Sequence, residues 1–182
     1  MYCGNNKTAL QSQKQTADAM MELLNEKSFS QITISELCRE AGISRQTFYS
    51  LFTNRENVMM FALQEQYCEG LEITVPGQKS CDDSPLLCLC HGCSTYMLRN
   101  RSLIKTLVEN HIDYLLYDSF YDAICRCDDF LQEVDPCTRS YAASFYAGGF
   151  ACVARRYAEE GCTSSADQLE QLLNSLLSGK LF

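Results

Sequence analysis

Polar side chains between residues 44 and 50 have the chemistry that reads double-stranded DNA. An arginine can form two parallel hydrogen bonds with the edge of guanine, and a glutamine can do the same with adenine. Serine, threonine and tyrosine hydroxyls suit phosphate oxygens, which orient a protein on the duplex without carrying sequence information. We therefore predict that the following residues contact DNA: Thr33, Ser44, Arg45, Gln46, Thr47, Tyr49, Ser50 and Arg55.

Two short helices joined by a tight turn would present these side chains. Thr33, with Glu36 three residues later, is a capping box, which predicts that a helix begins there. Gly42 suits the positive φ at the end of that helix, and Ser44 is a good cap for the next one. This second helix, about residues 44–51, is the predicted recognition helix that enters the major groove.

Apolar spacing gives the recognition helix an inner and an outer face. Phe48, Leu51 and Phe52 recur at helical spacing and are expected to turn inward, which leaves the polar residues outside. Thr53 and Glu56 form a second capping box, which predicts the start of a third helix. A solvated polar helix face is the alternative, but it does not account for two capping boxes, a turn glycine and an aromatic pair in this order.

The first third of the chain resembles the tetracycline-repressor (TetR) family of bacterial transcription regulators. The preceding helix shares the resemblance, because Ala17, Met20, Met21 and Leu24 fall on one face. Arg55 departs from the family pattern, which commonly has a lysine, but it keeps the positive charge that suits phosphate. The residues that carry the resemblance are Thr33, Ile34, Leu37, Ala41, Gly42, Ile43, Ser44, Thr47, Phe48, Tyr49, Phe52, Asn54 and Glu56.

An all-α fold with two domains follows from the resemblance and from the helical apolar pattern of the rest of the chain. The N-terminal domain is a three-helix, helix-turn-helix DNA-binding domain over residues 1–58. Residues 59–182 form a helical ligand-binding and dimerisation domain. Helices are predicted over about residues 54–70, 86–98, 103–110, 112–131, 136–160 and 165–178, with a break over 72–85.

The net charge of −8 is carried outside the predicted DNA-binding domain. Residues 1–58 hold six basic and six acidic residues, which cancel, while the remainder holds nine basic and seventeen acidic ones. Because the domain is not strongly basic, we expect placed contacts and two domains acting together to supply the affinity, with a modest dependence on salt.

Some protein classes do not fit this sequence. It has no apolar run of membrane-spanning length and begins without a signal-peptide stretch, so we expect a cytoplasmic protein with no membrane partner. It also lacks a glycine-rich phosphate loop, a nucleophile elbow and a metalloprotease motif. We therefore predict that it is not an enzyme and has no cofactor.

The last two predicted helices favour a dimer. In the resembled family, two C-terminal helices of each subunit form a four-helix interface, and small residues on the penultimate helix would allow close approach. The alternative is that both helices pack only within one subunit. The predicted dimer face consists of Tyr141, Phe145, Gly148, Gly149, Cys152, Leu169, Leu172, Leu173 and Leu176.

Aromatic residues of the central helices are candidates for an effector pocket, because apolar walls with a few hydroxyls suit an organic molecule. An ordinary core whose tyrosine tips reach water would give the same composition. The predicted pocket residues are Tyr96, Tyr114, Tyr117, Tyr121, Phe145 and Tyr146.

Twelve cysteines raise a second possibility, because Cys88, Cys90, His91 and Cys93 lie within six residues. Thiolate and imidazole groups together can bind zinc or copper. Cys90 and Cys93 share a helical face, whereas Cys88 and Cys90 point to nearly opposite sides. Reduced cysteines are commonly small buried apolar residues, so we predict no metal and keep a metal- or thiol-responsive sensor as the alternative.

Together these features predict a ligand-responsive transcription regulator. We interpret it as a repressor that binds a palindromic operator in double-stranded DNA as a homodimer. An unknown small-molecule effector in the C-terminal core would release it from DNA by favouring a different spacing of the two recognition helices.

Overall fold

The computed structural model describes the backbone of residues 6–71, 85–126 and 134–178, and their side chains except those of 65–71, 85–86 and 88. Within these ranges the regular elements are α-helices and one short 3-10 turn, so the predicted all-α class is confirmed. None of the helices described there is long and apolar enough to cross a bilayer. The helices are α1 Lys7–Glu26, α2 Ile34–Glu40, α3 Arg45–Leu51, α4 Arg55–Leu71, α5 Pro85–Arg99, α6 Arg101–Glu109, α7 Leu115–Arg126, α8 Pro136–Glu159 and α9 Ala166–Leu177, and the turn is Phe29–Gln31.

Two compact units divide the chain, a first unit of Met1–Glu65 and a second unit of Gln66–Phe182. The division falls inside α4, and so does the domain boundary predicted after residue 58. That predicted boundary therefore stays a prediction. Of the break expected over 72–85, Pro85 instead begins α5, while the rest of that break and the end of the predicted helix at 127–131 lie outside the described residues.

The first unit is built around the inner faces of α1, α2 and α3, with α1 packed on α2 and α2 on α3. On α1, Ala17 and Met20 are buried as expected, but Met21 and Leu24 are only half-buried and Leu23 lies inside. The inner stripe of α1 therefore runs through positions 16, 20 and 23. The face predicted from the sequence ran through 17, 21 and 24, one residue later.

The start of α4 differs from the predicted capping box of Thr53 and Glu56. Asn54 Oδ1 accepts a hydrogen bond from Asn57 N at 2.8 Å, and Asn57 Oδ1 accepts one from Thr53 N at 3.3 Å. The Asn54 side chain thus caps the first turn of α4, and the Asn57 side chain binds the backbone N–H of Thr53. The arrangement is similar to a serine–glutamate capping box. Asparagine is as good a cap as threonine, so the choice between neighbouring candidates was not decided by local sequence.

In the second unit α8 packs on α6 and α7, and α9 packs on α5. Asp135 Oδ1 accepts hydrogen bonds from Cys137 N and Thr138 N, and Pro136 occupies the first turn, so the predicted start of α8 is confirmed. Gly161, with φ of 80°, follows α8 at the predicted stop. Ser165 and Gln168 form a capping box that starts α9.

Candidate nucleic-acid interface

The predicted recognition helix is present as α3, and its two sides differ sharply. Phe48 is fully buried and Leu51 nearly so, while Tyr49 is 56 % exposed. We call the exposed side of α3, formed by Arg45, Gln46, Tyr49 and Ser50, the recognition ridge.

An aromatic base supports the recognition ridge from inside. The Phe48 ring lies 5.7 Å from the ring of Phe52, which in turn lies 6.0 Å from the ring of Phe61 on α4. The edge of the Tyr49 ring meets Phe48 at 5.5 Å and 87°. Such edge-to-face contacts add to the burial of apolar area, so α3 is held firmly and the Tyr49 ring has a defined direction.

Hydroxyl groups around the start of α3 are linked to one another. Ser44 Oγ accepts from Thr47 N at 3.0 Å and lies 2.8 Å from Thr47 Oγ1, while Ser50 Oγ donates to Thr47 O at 2.7 Å. Each hydroxyl has one proton. One proton is used between Ser44 and Thr47 and another by Ser50, so this set of hydroxyls keeps one proton that can be donated outward to a phosphate.

The turn before α3 is shaped by its glycine. Gly42 has φ of 65°, and Ile43 N donates to Cys38 O at 2.9 Å, which closes the end of α2. A residue with a β-carbon is strained at this φ, so the backbone favours the glycine predicted here. The turn therefore sets the angle between α2 and the recognition ridge.

The start of α2 is capped by Thr33, as predicted. Thr33 Oγ1 accepts from Glu36 N at 3.2 Å, and the Glu36 carboxylate also binds Lys27 Nζ at 2.5 Å. Arg39 lies 3.6 Å from the same carboxylate. The hydrogen bond from Lys27, with its charge, holds the pKa of Glu36 below its ordinary value.

Arg55 takes a different place from the predicted DNA contact. Its Nη1 donates to Phe29 O at 2.8 Å and also to Ile32 O, and its guanidinium lies over the Phe29 ring, 4.8 Å from the centroid. The two carbonyls that precede α2 therefore hold the guanidinium next to the start of that helix. The predicted contact of Arg55 with a phosphate stays a prediction.

The predicted dimer face divides into an exposed part and a buried part. Leu169 and Leu173 are buried where α9 packs on α5, so the structure corrects their assignment to a face between subunits. Gly148 and Gly149 have nothing within 4 Å of an added β-carbon, so packing within the subunit does not require them. Large apolar side chains that remain exposed on α8 and α9, here called the apolar face, are Tyr141 (73 %), Phe145 (71 %), Leu172 and Leu176.

The six predicted pocket residues differ in burial, and Tyr121 lines a pocket. Tyr96 is buried against Phe120 at 5.5 Å, whereas Tyr114, Tyr117 and Phe145 are exposed. Burial raises the pKa of the Tyr96 hydroxyl well above its ordinary value, as expected for a core tyrosine. A pocket of about 170 Å³ lies where α7 ends and α8 begins, lined by Tyr121, Ile124, Cys125, Pro136, Arg139, Ser140 and Ala143.

The cysteine cluster on α5 is not gathered as a ligand set in the part of the chain that is described. Cys90 and Cys93 are buried, while the exposed His91 directs Nδ1 to Glu170 Oε2 at 2.8 Å. Burial raises the pKa of the Cys90 thiol to about 11 and holds the pKa of Cys93 well above its ordinary value, which opposes the thiolate that a metal or an oxidant needs. The side chain of Cys88 lies outside the described residues.

Sequence reasoning missed the residues that act between elements. The Lys27–Glu36 pair joins positions nine apart on different helices, and Arg55 reaches back 23 residues to Ile32. No local pattern signals such contacts. The Asn54 cap did have a local signal, since asparagine is a good N-cap, but Thr53 next to it carried a similar one.

Comparison with known protein families matches the first unit. The family model for bacterial regulatory proteins of the tetR family matches residues 17–59. The HTH-type dhaKLM operon transcriptional activator DhaS of Lactococcus lactis is 32 % identical over 65 residues, 36 % of this chain and 35 % of the relative. The HTH-type transcriptional regulator AlkX of Mycobacterium tuberculosis is 49 % identical over 41 residues, 22 % of this chain and 19 % of the relative. The matched segments thus span about a third and a fifth of the length of these relatives.

Solved structures are similar over nearly the whole chain. Lin0861 from Listeria innocua superposes with a TM-score of 0.76 at 16 % identity, covering 98 % of this chain and 95 % of that one. A TetR-like transcriptional regulator from Rhodococcus sp. RHA1 gives a TM-score of 0.51 at 18 % identity, covering 93 % and 95 %. At these identities the likeness concerns the fold.

Proposed function

The chain belongs to the TetR family of bacterial regulatory proteins, and from this premise we propose that it is a repressor that binds a palindromic operator as a homodimer. The observation that carries the proposal is the recognition ridge: Arg45, Gln46 and Tyr49 project from a short helix whose opposite side is fully buried. A guanidinium and an amide in this place suit guanine and adenine edges in the major groove. A regulator that acts on operator DNA works where the chromosome is, so we place it in the cytoplasm.

The apolar face supports the homodimer. Its four large side chains lie on α8 and α9 and are exposed in the single chain, and exposed apolar side chains of this size are suited to an interface. A two-fold dimer would cover the same face on both copies at once. It would also place two recognition ridges about 34–36 Å apart, the spacing of successive major grooves, and so read an inverted repeat.

Release by a small molecule in the second unit is the regulatory part of the proposal. An effector shifts the equilibrium only as far as its affinities for the DNA-bound and released states differ. The relative from Lactococcus lactis carries the name of an activator, so the sign of regulation needs its own measurement. Transcription from the selected promoter, with and without the protein, gives that sign directly, and stimulation instead of inhibition would overturn repression alone.

Selection of bound fragments from random DNA tests the proposed function. We expect the full-length chain to enrich an inverted repeat with half-sites about one helical turn apart. A matched pair of variants, Tyr49→Ala on the recognition ridge and Tyr114→Ala in the second unit, removes the same exposed ring in two places. Loss of binding by the first and its retention by the second supports the proposal. No enriched sequence, or equal binding by both variants, overturns it.

A further inference from the structure

Arg55 is held inside the first unit by hydrogen bonds and by an aromatic ring. Its Nη1 bonds the carbonyl oxygens of both Phe29 and Ile32, and its guanidinium lies over the Phe29 ring. Hydrogen bonds from a charged donor are stronger than neutral ones, and the cation–π interaction adds to them. Turning this side chain out to a phosphate would break all of these interactions together.

The two carbonyls that Arg55 holds belong to the connection between α1 and α2. Phe29 opens the 3-10 turn, and Ile32 comes directly before Thr33, the cap of α2. Phe29 and Ile32 are also buried, which leaves the connection little freedom. Through Ile32, the first residue of α4 is therefore linked to the place where α2 begins.

Lys27, at the end of α1, also binds the start of α2. It is the last capping residue of α1, and its Nζ binds the Glu36 carboxylate in the first turn of α2 at 2.5 Å. With Arg55 acting from α4 and Lys27 from α1, α2 is tied to both of these helices. The direction of α2 then sets the direction of the turn at Gly42 and of the recognition ridge that follows it.

We propose that Arg55 is a positioning residue, which orients α2 and the recognition ridge for DNA and makes no phosphate contact of its own. The inference rests on the proposed DNA-binding function and adds a role that the resemblance to the family did not assign. It also means that two of the six basic residues in 1–58, Lys27 and Arg55, are used inside the unit. The exposed cations left to meet DNA are Lys7, Lys14, Arg39 and Arg45.

The salt dependence of operator binding separates positioning from phosphate binding. Removing one cation that binds a phosphate lowers the slope of log K against log salt by about 0.9, so removing one from each subunit of a dimer lowers it by about 1.8. For Arg55→Met we expect about tenfold weaker binding at one salt concentration with an unchanged slope, because a charged hydrogen bond has an effect of this order. The control Arg99→Met removes an exposed charge from the second unit and should change neither quantity.

A double-mutant cycle with Phe29 tests whether Arg55 acts through the connection. Phe29→Leu keeps an apolar side chain but removes the ring under the guanidinium. Because both changes loosen the same interaction, the double variant should lose much less affinity than the product of the two single losses. Losses that simply multiply would show that Arg55 acts independently of Phe29 and would overturn the proposal.

Hydrogen exchange gives a readout that does not depend on DNA. In Arg55→Met, amides of residues 29–37 should exchange faster, while those of α1 before Lys27 keep the wild-type rate. Arg55→Lys should restore the slow exchange in part, since one ammonium can still donate to the two carbonyls. A slope lowered by about 1.8 with unchanged exchange would assign Arg55 to phosphate, and uniform acceleration through the first unit would assign it to stability alone; either result overturns the proposal. Failure of the wild type to enrich any DNA would instead refute the proposed function, with the exchange result still deciding the place of Arg55.

Discussion

The exposed side of α3 is polar, whereas the exposed side of α8 and α9 carries large apolar side chains. The same helices carry buried side chains: Phe48 on α3, with Phe52 directly after it, Phe150 on α8 and Leu173 on α9. The two surfaces differ in how favourably water solvates them. The recognition ridge is well solvated when nothing is bound, while the apolar face is stabilised by anything apolar that covers it.

This difference indicates two kinds of partner. A polar surface of arginine, glutamine and tyrosine gains from a partner that is itself polar and hydrated, and it can bind and release without exposing apolar area. An apolar surface favours a lasting partner of the same character, such as a second copy of the chain. Each prediction below changes one surface and asks whether the other keeps its behaviour.

Removing the aromatic base of the recognition ridge has the largest expected effect. Phe48 is fully buried, so Phe48→Ala should lower the free energy of unfolding of the first unit by about 3–5 kcal/mol, through reduced burial and the cavity left behind. Urea denaturation followed by circular dichroism measures this change. Tyr49→Ala, next to it but exposed, is the control and should destabilise the first unit much less, because it removes only the edge contact with Phe48. Equal destabilisation by both variants would contradict the distinction between the base and the ridge.

Placing a charge on the apolar face should dissociate the proposed dimer. Phe145→Glu puts a carboxylate where an exposed ring now lies, and a buried unpaired charge at a two-fold interface is strongly unfavourable. We expect the dimer to weaken by about 30-fold or more, as for other central interface residues. Sedimentation equilibrium measures this directly. Thr163→Glu, exposed in the turn before α9, adds the same charge away from the face and should leave the dimer intact.

A dimer unaffected by Phe145→Glu would move the interface elsewhere and leave the apolar face unexplained. Operator affinity adds a second readout, because a monomer carries one recognition ridge and loses the advantage of two linked binding sites. Binding to an isolated half-site should then be unchanged while binding to the full repeat falls.

Changes on the recognition ridge itself should be smaller in stability and selective in binding. Arg45→Ala should weaken operator binding by about 1–3 kcal/mol and relax sequence preference at one base pair of each half-site. Next to the recognition ridge, Thr47→Ala removes a hydroxyl that is hydrogen-bonded to that of Ser44, and we expect operator binding to be lost while the dimer persists. Competition binding with single-base variants of the selected repeat distinguishes the two effects. Uniform weakening across all bases by Arg45→Ala would assign its side chain to phosphate.

The fold could be predicted from this sequence because its signals are local. The caps at Thr33 and Ser44 and the positive φ at Gly42 each depend on residues within one turn, and each appears in the structure. The periodic spacing of Phe48 and Leu51 likewise decided which side of α3 faces inward.

Interactions between distant residues escaped prediction for the opposite reason. Arg55 has a positive charge that suits phosphate, but the carbonyls that hold it lie more than twenty residues earlier. On α9, Leu169, Leu172, Leu173 and Leu176 form one apolar stripe too wide for a single neighbour, and the sequence does not say which half meets α5. The contacts with DNA bases stay predictions, because they depend on a partner as well as on the chain.

Acid should affect the two regions through different carboxylates, which gives the smallest and most selective expected effect. In the first unit Lys27 keeps the pKa of Glu36 low, and in the second the hydroxyl and amide of Thr138 keep the pKa of Asp135 low at the start of α8. A carboxyl whose folded pKa lies below its unfolded value stabilises the fold fully above the unfolded value. That contribution is lost as the pH falls through the folded pKa, below the ordinary values of 4.5 for Glu36 and 3.8 for Asp135.

Glu36→Gln should therefore lower the stability of the first unit at neutral pH. The difference in stability between this variant and the wild type should shrink as the pH falls below about 4.5. Asp135→Asn should do the same for the second unit, with the gap closing below about 3.8. Hydrogen exchange of peptides from each unit, measured from pH 7 downward, follows both at once, and each variant is the control for the other. Glu36 lies on α2 and joins it to Lys27, whereas Asp135 lies in the second unit. Only Glu36→Gln should therefore also weaken operator binding at neutral pH. Weaker operator binding by Asp135→Asn with an intact dimer would show that the two regions are coupled more tightly than their surfaces indicate.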